Sequence, residues 1–427
     1  MLSGRSYPIA YGARLLYTLR PMNQPNSMDG AIVMQTTRQG MDGVVGRGGR
    51  RAALAGLAMA CAALSLAGCS RVPDTVKIGV AQPLSGPLAA LGQDMLNGVK
   101  LAVDELNQSG FMVDGKRVTL EVVAQDDRAD AATGKTVAQQ LVESGVVAVV
   151  GHLNSGVSIE AAPIYAAKGI PQLAISTHPH FTELGFPGTF RLVANDALQA
   201  RAMGSFAATQ LSAASYAVLD DGTPYGKGLA DGAAAQLAQE KRKVAVRESF
   251  DDKTTDFKAL AGRLQQERVD VVVTTLNDFQ VLALIDALVQ ANYTRVNILG
   301  GDTIKTTDML KGDRKLAGIY ATSPVLEARE FIAGRQFLDR YDRAFKRAPA
   351  YGGHYSYDAT YVLSAAIQQA KSADPREITK ALHAINGYAP VTGTMKWDDK
   401  GEQRYGAVGV YGMRAGQWEL RMRSDRW

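Results

Sequence analysis

Cysteine is nearly absent from this 427-residue chain: there are two, Cys61 and Cys69, both near the front. Nothing after Cys69 can form an internal disulfide, and no thiol there can serve as a nucleophile or a soft metal ligand. The same stretch after Cys69 has no net charge either. The formal charge of +5 and a pI near 9.0 invite a nucleic-acid reading. Residues 1–68 carry that whole excess, with seven Arg, no Lys and two Asp; from residue 69 onward 40 basic residues meet 40 acidic ones. The remainder has no electrostatic footprint for DNA or RNA. No G-x-G-x-x-G follows a first strand, and there is neither a nucleophile elbow nor a P-loop, so the common phosphate-binding and hydrolase signatures are excluded. The His178-Pro179-His180 pair has no third ligand at suitable spacing and reads as loop, so no metal and no cofactor are expected.

The front of the chain is organised differently. After Arg50-Arg51 the sequence runs AALAGLAMACAALSLAGCS, a basic n-region, an apolar stretch of signal-peptide length, then small residues. Polar chain follows too closely for a typical spanning helix. Leu66-Ala67-Gly68-Cys69 resembles the lipobox of bacterial lipoproteins, which implies lipidation of Cys69, loss of Cys61 with the signal, and a membrane anchor. The alternative is an ordinary secretory signal with a chance Cys. Residues 1–40 do not resemble an n-region, and Met41 is a plausible initiator.

From residue 75 strand and helix patterns alternate. Strands are expected at Val76–Val80, Val118–Val123, Val146–Val150, Tyr216–Leu219, Val244–Val246, Val269–Thr274 and Asn297–Leu299. Helices are expected at Met95–Leu106, Thr133–Val142, Gly228–Gln239, Phe257–Leu264 and Phe279–Ala291. Apolar strands alternating with amphipathic helices imply an α/β fold with parallel sheets covered on both faces. Ligands of such sheets gather at the carboxyl ends of the strands. The most informative stretch is VVAVVGHLNSGVSIEAAPIY (146–165): a buried strand, a turn, then Ser158, Ile159, Ala162 and Tyr165 at helical spacing. The free N–H groups of such a helix start form an anion site, with Ser155 placed where an N-cap hydroxyl sits. Ser155 could equally do no more than cap its helix.

Several segments extend this pattern: KIGVAQPLSGPLAALGQDMLNGVKLAVDELN (77–107), VVGHLNSG (149–156), GIPQLAIST (169–177), DDGTPYGKGLADG (220–232), FDDKTTDFKALAGRL (250–264) and GTMKWDDKG (393–401). In order and spacing they resemble the type I periplasmic binding proteins of branched-chain amino acid ABC importers, the leucine/isoleucine/valine-binding family. The resemblance covers 75–415. It implies two doubly wound parallel-sheet lobes joined by three crossings, with the ligand in the cleft between them. Carried onto this chain, 1–68 is a precursor extension and signal peptide and 69–74 a linker. Lobe 1 takes 75–194 and 325–391, and lobe 2 takes 197–322 and 396–427. The crossings fall near Asn195, Ser323 and Thr394.

The resemblance also implies a site. Ser155 and Thr177 would hold a ligand carboxylate, a carbonyl near Ser176 would accept an ammonium hydrogen, Asp302 would pair with that ammonium, and Tyr225 would be a cleft aromatic. Leu91 and Asn277 depart from relatives that carry aromatics there, which leaves the side-chain pocket open. Asn154 and Ala129 stand where some relatives have a disulfide pair. Each residue has a plainer alternative: Asp302 as a loop or cap residue, Tyr225 as a packed Tyr, Thr177 as a turn residue, Asn277 as a helix N-cap, His354 as a structural His of lobe 1. The implied function is a lipid-anchored, periplasmic, non-enzymatic binding protein that passes an amino acid to an ABC permease. A binding protein for amides, urea or aromatic carboxylates is the alternative, and a doubly wound enzyme is a third.

Overall fold

The computed structural model describes residues 72–211, 213–312 and 315–426, so the expectations for Met41, Arg50, Arg51, Cys61 and Cys69 lie outside the described residues. Along the chain, β1 (Thr75–Gln82) leads to α1 (Ala89–Ser109), a small hairpin β2 (Met112–Val113) and β3 (Lys116–Arg117), and β4 (Thr119–Asp126). Then come α2 (Ala131–Glu143), β5 (Ala148–Gly151), α3 (Ser155–Ala166), β6 (Gln172–Ala174), a short α4 (His180–Glu183) and β7 (Thr189–Arg191). The five main strands form a wholly parallel sheet in the order β4-β1-β5-β6-β7. Both faces are buried, which is why the strands read as nearly continuous apolar runs. Ile78, Val80, Ala148 and Val150 enter one core, and Ala81 and Val149 the opposite one.

The second lobe begins with α5 (Asp196–Gln210), followed by β8 (Tyr216–Asp220), α6 (Pro224–Gln239), β9 (Val244–Ser249), α7 (Lys258–Gln266), β10 (Val271–Thr274), α8 (Asp278–Gln290), β11 (Asn297–Gly300) and β12 (Gly318–Ser323). The chain then returns to the first lobe through α9 (Gly334–Phe345), α10 (Gly353–Ala370), α11 (Pro375–Ala384) and the hairpin β13 (Gly387–Ala389) and β14 (Gly393–Met395). Finally β15 (Gly409–Arg414) and β16 (Gln417–Arg423) complete a seven-stranded sheet, β16-β15-β12-β11-β10-β8-β9, with β15 antiparallel to both its neighbours. Its inner strands are likewise buried on both faces, Val272 in one core and Val271 and Val273 in the other. Among the described residues no helix is long and apolar enough to cross a membrane.

Local chemistry moves several element ends. Helix α6 starts at Pro224 rather than Gly228 because Thr223 caps it, its Oγ1 accepting from Gly226 N at 3.0 Å, and Pro is at ease in the first helical turn. Strand β5 starts at Ala148 rather than Val146. Gly145 turns left-handed after α2 (φ +76°), and Val146 N bonds back to Leu141 O, so Val146 belongs to the helix end. Helices α1 and α10 pack at backbone contact: a Cβ on Gly98 would lie 1.9 Å from the Gly353 carbonyl oxygen. Only glycine fits that crossing.

The crossings between lobes need one correction. Asn195 caps α5, with Oδ1 accepting from Leu198 N at 3.2 Å, and β12 ends at Ser323. Thr394, however, sits inside β14 opposite Tyr388, and Met395 and Trp397 are buried in the first lobe's core. Arg191 N donates to Gly401 O at 2.9 Å, which keeps the chain on the first lobe beyond residue 396. It passes to the second lobe between Arg404 and Gly409, where Val408 packs on Ala194 and Ala202. The DDKG turn at 398–401 folds back on β7.

Candidate functional site

The carboxyl ends of the first sheet's strands supply one wall of a cavity of about 30 Å³. Leu91, Ser155, Thr177, Tyr225 and Asp302 all line it, with Leu88, Leu153, Asn154, Ile175, Thr303 and Tyr351. Ser155 is not the N-cap. Asn154 holds that position in an extended conformation (φ −78°, ψ 131°), and Ser155 is the first helical residue of α3. Asn154 makes no capping bond: its Oδ1 has no hydrogen-bond partner among the described residues. The first N–H groups of α3 have no intrahelical acceptor, and the helix dipole puts partial positive charge at this end. The Ser155 hydroxyl accepts from His178 N at 3.2 Å, tying the helix start to the loop that carries Thr177.

Ser176 does not line the cavity. Its hydroxyl contacts the Ser158 hydroxyl at 2.5 Å and donates to His152 O at 3.1 Å, inside the turn that leads to Ser155. Its carbonyl oxygen, expected to face an ammonium group, accepts from Arg191 Nη1 instead. Arg191 is fully buried, and its Nη2 also donates to His178 O at 3.0 Å, so one guanidinium grips the carbonyls on both sides of Thr177. Glu402 neutralises it at 2.9 Å from the turn after β14. The Thr177 carbonyl itself accepts from Asp196 N at 2.8 Å.

The opposite wall comes from the second lobe. Asp302 opens a short 3-10 turn after β11 and is 5% exposed. Tyr225 donates its hydroxyl to Asp302 Oδ1 at 2.7 Å, and Gln199 Nε2 donates to the same oxygen at 3.1 Å. The Tyr351 hydroxyl donates to Oδ2. Burial, with Asp302 beside them, pushes both phenols well above their ordinary range, so both stay protonated donors. Tyr351 is held in turn by Asp94 of α1, whose Oδ2 accepts from the backbone N of Tyr351 and of Gly353, each at 2.8 Å.

Asp196 stands beside this group. It is 3% exposed, with the Thr177 hydroxyl beside its carboxylate. Burial pushes it up to about 7, the Asp302 and Glu402 charges adding to the rise while the Thr177 hydroxyl and Arg191 oppose it. The cavity thus has uncapped N–H donors at one end. At the other it has the buried carboxyl group of Asp302, with Asp196 close behind and no cation among the residues that line the cavity.

Asn277 is not in this cavity. It is the N-cap of α8 and donates from Nδ2 to Asp221 Oδ2 at 3.2 Å, in an adjoining cavity. His178 Nδ1 accepts from His180 N at 3.2 Å, the turn contact of a loop pair. His354 is the second residue of α10, fully buried, with Nε2 2.8 Å from Leu326 O. Tyr351, Asp196, Gln199 and the Arg191–Glu402 pair are the residues the sequence reading missed. Asn195-Asp196 reads only as a cap and a first helical residue, and Tyr351 lies in APAYGG, a turn with no periodicity. Arg191 within TFRLV could have raised the question of a buried cation.

Two parallel-sheet lobes linked three times, with converging polar groups in the cleft, define a two-lobed solute-binding protein. The family model described as periplasmic binding protein matches residues 75–418, and the chain belongs to that family. It is similar to Leu/Ile/Val-binding protein homolog 1 of Brucella abortus, 30% identical over 374 residues, with 87% of this chain and 96% of the relative covered. Among solved structures it is similar to a leucine-binding protein of Thermotoga maritima (TM-score 0.74, 24% identity, covering 82% of this chain and 100% of that one). It is also similar to the branched-chain amino acid transporter substrate-binding protein of Streptococcus pneumoniae solved with isoleucine (TM-score 0.72, 25% identity, covering 81% and 99%). The chain is thus a type I periplasmic binding protein of the branched-chain amino acid family, and these relatives are named for what they bind or transport rather than for a reaction.

Proposed function

We propose that this protein holds an α-amino acid, branched-chain or similar, in the cleft and delivers it to an ABC importer's permease from the outer side of the cytoplasmic membrane, anchored by lipid at Cys69. The observation that carries the reading is the opposition of charges: the uncapped start of α3 at Ser155 faces Asp302 across one small cavity, with the buried Asp196 close to Asp302 outside the lining. A zwitterion matches both ends, since a buried charge needs a partner and hydrogen bonds. The carboxylate takes the N–H groups of α3 with the Ser155 and Thr177 hydroxyls. The ammonium takes Asp302, with Asp196 behind it. Because the two ends belong to different lobes, ligand adds contacts only when the lobes are together, which favours closure in its presence.

Asp196 makes this reading testable by pH. Its folded pKa near 7 lies above the ordinary 3.8, so in the empty protein it favours folding at low pH and loses that contribution as pH rises from about 4 to 7. A ligand ammonium favours the ionised form. Amino-acid affinity is therefore expected to rise with pH up to about 7, by at most tenfold per unit, with release of up to one proton. Calorimetry in buffers of different ionisation enthalpy reads that proton directly; binding without proton release near pH 6 would remove Asp196 from the site. The anchor has its own test. Cys69→Ser is expected to shift the protein from membrane to soluble fractions, and unchanged membrane association would sink the lipoprotein reading.

A further inference from the structure

The two oxygens of Asp302 are held from different places. Oδ1 accepts from Tyr225 on α6 and from Gln199 on α5, both in the second lobe, to which Asp302 itself belongs. Those two bonds stand whether the lobes are together or apart. Oδ2 accepts from Tyr351. Tyr351 lies between α9 and α10, in the stretch that has returned to the first lobe. Its hydroxyl therefore crosses from one lobe to the other, and it reaches the carboxylate only when the cleft is shut.

The first lobe holds Tyr351 firmly for this reach. Asp94 of α1 is fully buried; its Oδ2 takes the backbone N of Tyr351 and of Gly353, each at 2.8 Å, and its Oδ1 accepts from the Tyr341 hydroxyl at 2.6 Å. The turn is seated without slack, since a Cβ on Gly353 would lie 2.7 Å from the Asp94 carbonyl oxygen. The ring has a second position to fill. Tyr351 lines the cleft cavity and also a cavity of about 240 Å³ whose lining includes Lys305, Glu327, Arg329 and Trp418. Among the described residues it is the one that lines both, so its ring is the wall they share. A carboxylate that takes up an ammonium group works best when its charge is aimed and kept from water.

We propose that Tyr351 is a positioning residue that couples lobe closure to amino-acid binding: carried across the cleft by closure, its hydroxyl fixes Asp302 Oδ2 in the orientation that the ligand ammonium uses, and its ring shields that oxygen from the neighbouring cavity. The proposal rests on the zwitterion reading of Ser155 and Asp302 and adds to it the residue that completes Asp302 only with the lobes together. A carboxylate oxygen has two lone pairs, so Oδ2 can accept from Tyr351 and from the ammonium at once.

Stopped-flow binding and calorimetry of the full chain with L-leucine, L-isoleucine and L-alanine test it. Ligand enters while the lobes are apart, before Tyr351 is in place. Tyr351→Phe should therefore leave the association rate within about twofold and raise the dissociation rate about tenfold, the usual size for a lost hydrogen bond to a charged group. Its melting temperature should stay near that of the unaltered protein. Tyr351→Ala, which also removes the shared wall, should raise dissociation at least as far. In an Asp302→Ala background Tyr351→Phe should change affinity by less than about twofold, because the oxygen it positions is gone. A residue that only supports the fold would instead lower the melting temperature and cost the same affinity with or without Asp302. Tighter binding by the Phe variant would show its hydroxyl competing with the ammonium for Oδ2, and overturns the proposal. So does an unchanged dissociation rate, an effect carried by the association rate alone, or full additivity with Asp302→Ala. Each of these leaves the zwitterion site standing. Failure of every amino acid to bind the unaltered chain overturns that site, and this proposal with it.

Discussion

Replacing Asp302 with Ala is expected to weaken amino-acid binding by about 100-fold or more, corresponding to at least about 3 kcal/mol, the usual consequence of removing one partner of a buried, hydrogen-bonded charge pair. The size follows from the setting. Asp302 is nearly fully buried and accepts from two phenols and an amide, so its negative charge is already oriented before ligand arrives. Preorganised charge loses little on binding and is correspondingly missed when it is removed. Truncation also strands the hydroxyls of Tyr225 and Tyr351, and that structural loss must be separated from the electrostatic one. Asp302→Asn narrows the difference, because it removes the charge and keeps one acceptor oxygen for Tyr225 or Tyr351, while the other phenol can turn its hydroxyl to accept from the new NH2. Its melting temperature should stay near that of the unaltered protein while its affinity for amino acids falls nearly as far as in the Ala variant. Simple carboxylates, which lack the ammonium, should lose much less. Equal losses for amino acids and for carboxylates would refute the pairing and favour a binding protein for aromatic or other acids.

The second large effect is expected at a residue that lines no ligand cavity. Glu402→Ala leaves the Arg191 guanidinium fully buried without its ion-pair partner, and breaking a buried pair from one side typically costs about 3–5 kcal/mol. Urea unfolding followed by circular dichroism should show the loss. Ligand affinity should fall too, measured well below the melting temperature so that folding and binding do not mix. The reason is geometric: Arg191 holds the carbonyls of Ser176 and His178, and Thr177 lies between them. In a Thr177→Ala background Glu402→Ala should cost little further affinity, because the residue being positioned is gone. Fully additive losses would show that Glu402 supports the lobe without serving the site. The same pair explains why the third crossing comes late: the turn at 398–401 must reach β7 to bring Glu402 to Arg191.

The sequence and the structure divide unevenly. The alternation of apolar strands and amphipathic helices is a local property, set by whether residues are buried on one face or two, and Val271–Thr274 or Val146–Val150 show it without any neighbour in view. That was enough for fold class and for the strand-to-helix turns where a ligand gathers. Element ends were less legible because they depend on single hydrogen bonds, such as Thr223 onto Gly226 or Val146 back onto Leu141. At the site, short-range signals such as a Gly-Asn-Ser turn before a helix pointed to Ser155. They could not show that Asn154 takes the cap position and leaves its own side chain unpaired.

What only the tertiary structure decided is which charges meet. Asp196 reads as an ordinary first-turn residue of α5, and Tyr351 as part of a loop 49 positions from Asp302; packing brings Tyr351 onto Asp302 and sets Asp196 close by. The family resemblance implies ligand contacts at Ser176 and Asn277, yet a buried Arg takes the Ser176 carbonyl and Asp221 takes the Asn277 amide. Local sequence fixes backbone conformation and the polarity of a segment. Solvent exclusion and electrostatic pairing are properties of surroundings drawn from several distant segments, and those were set only when the two lobes came together.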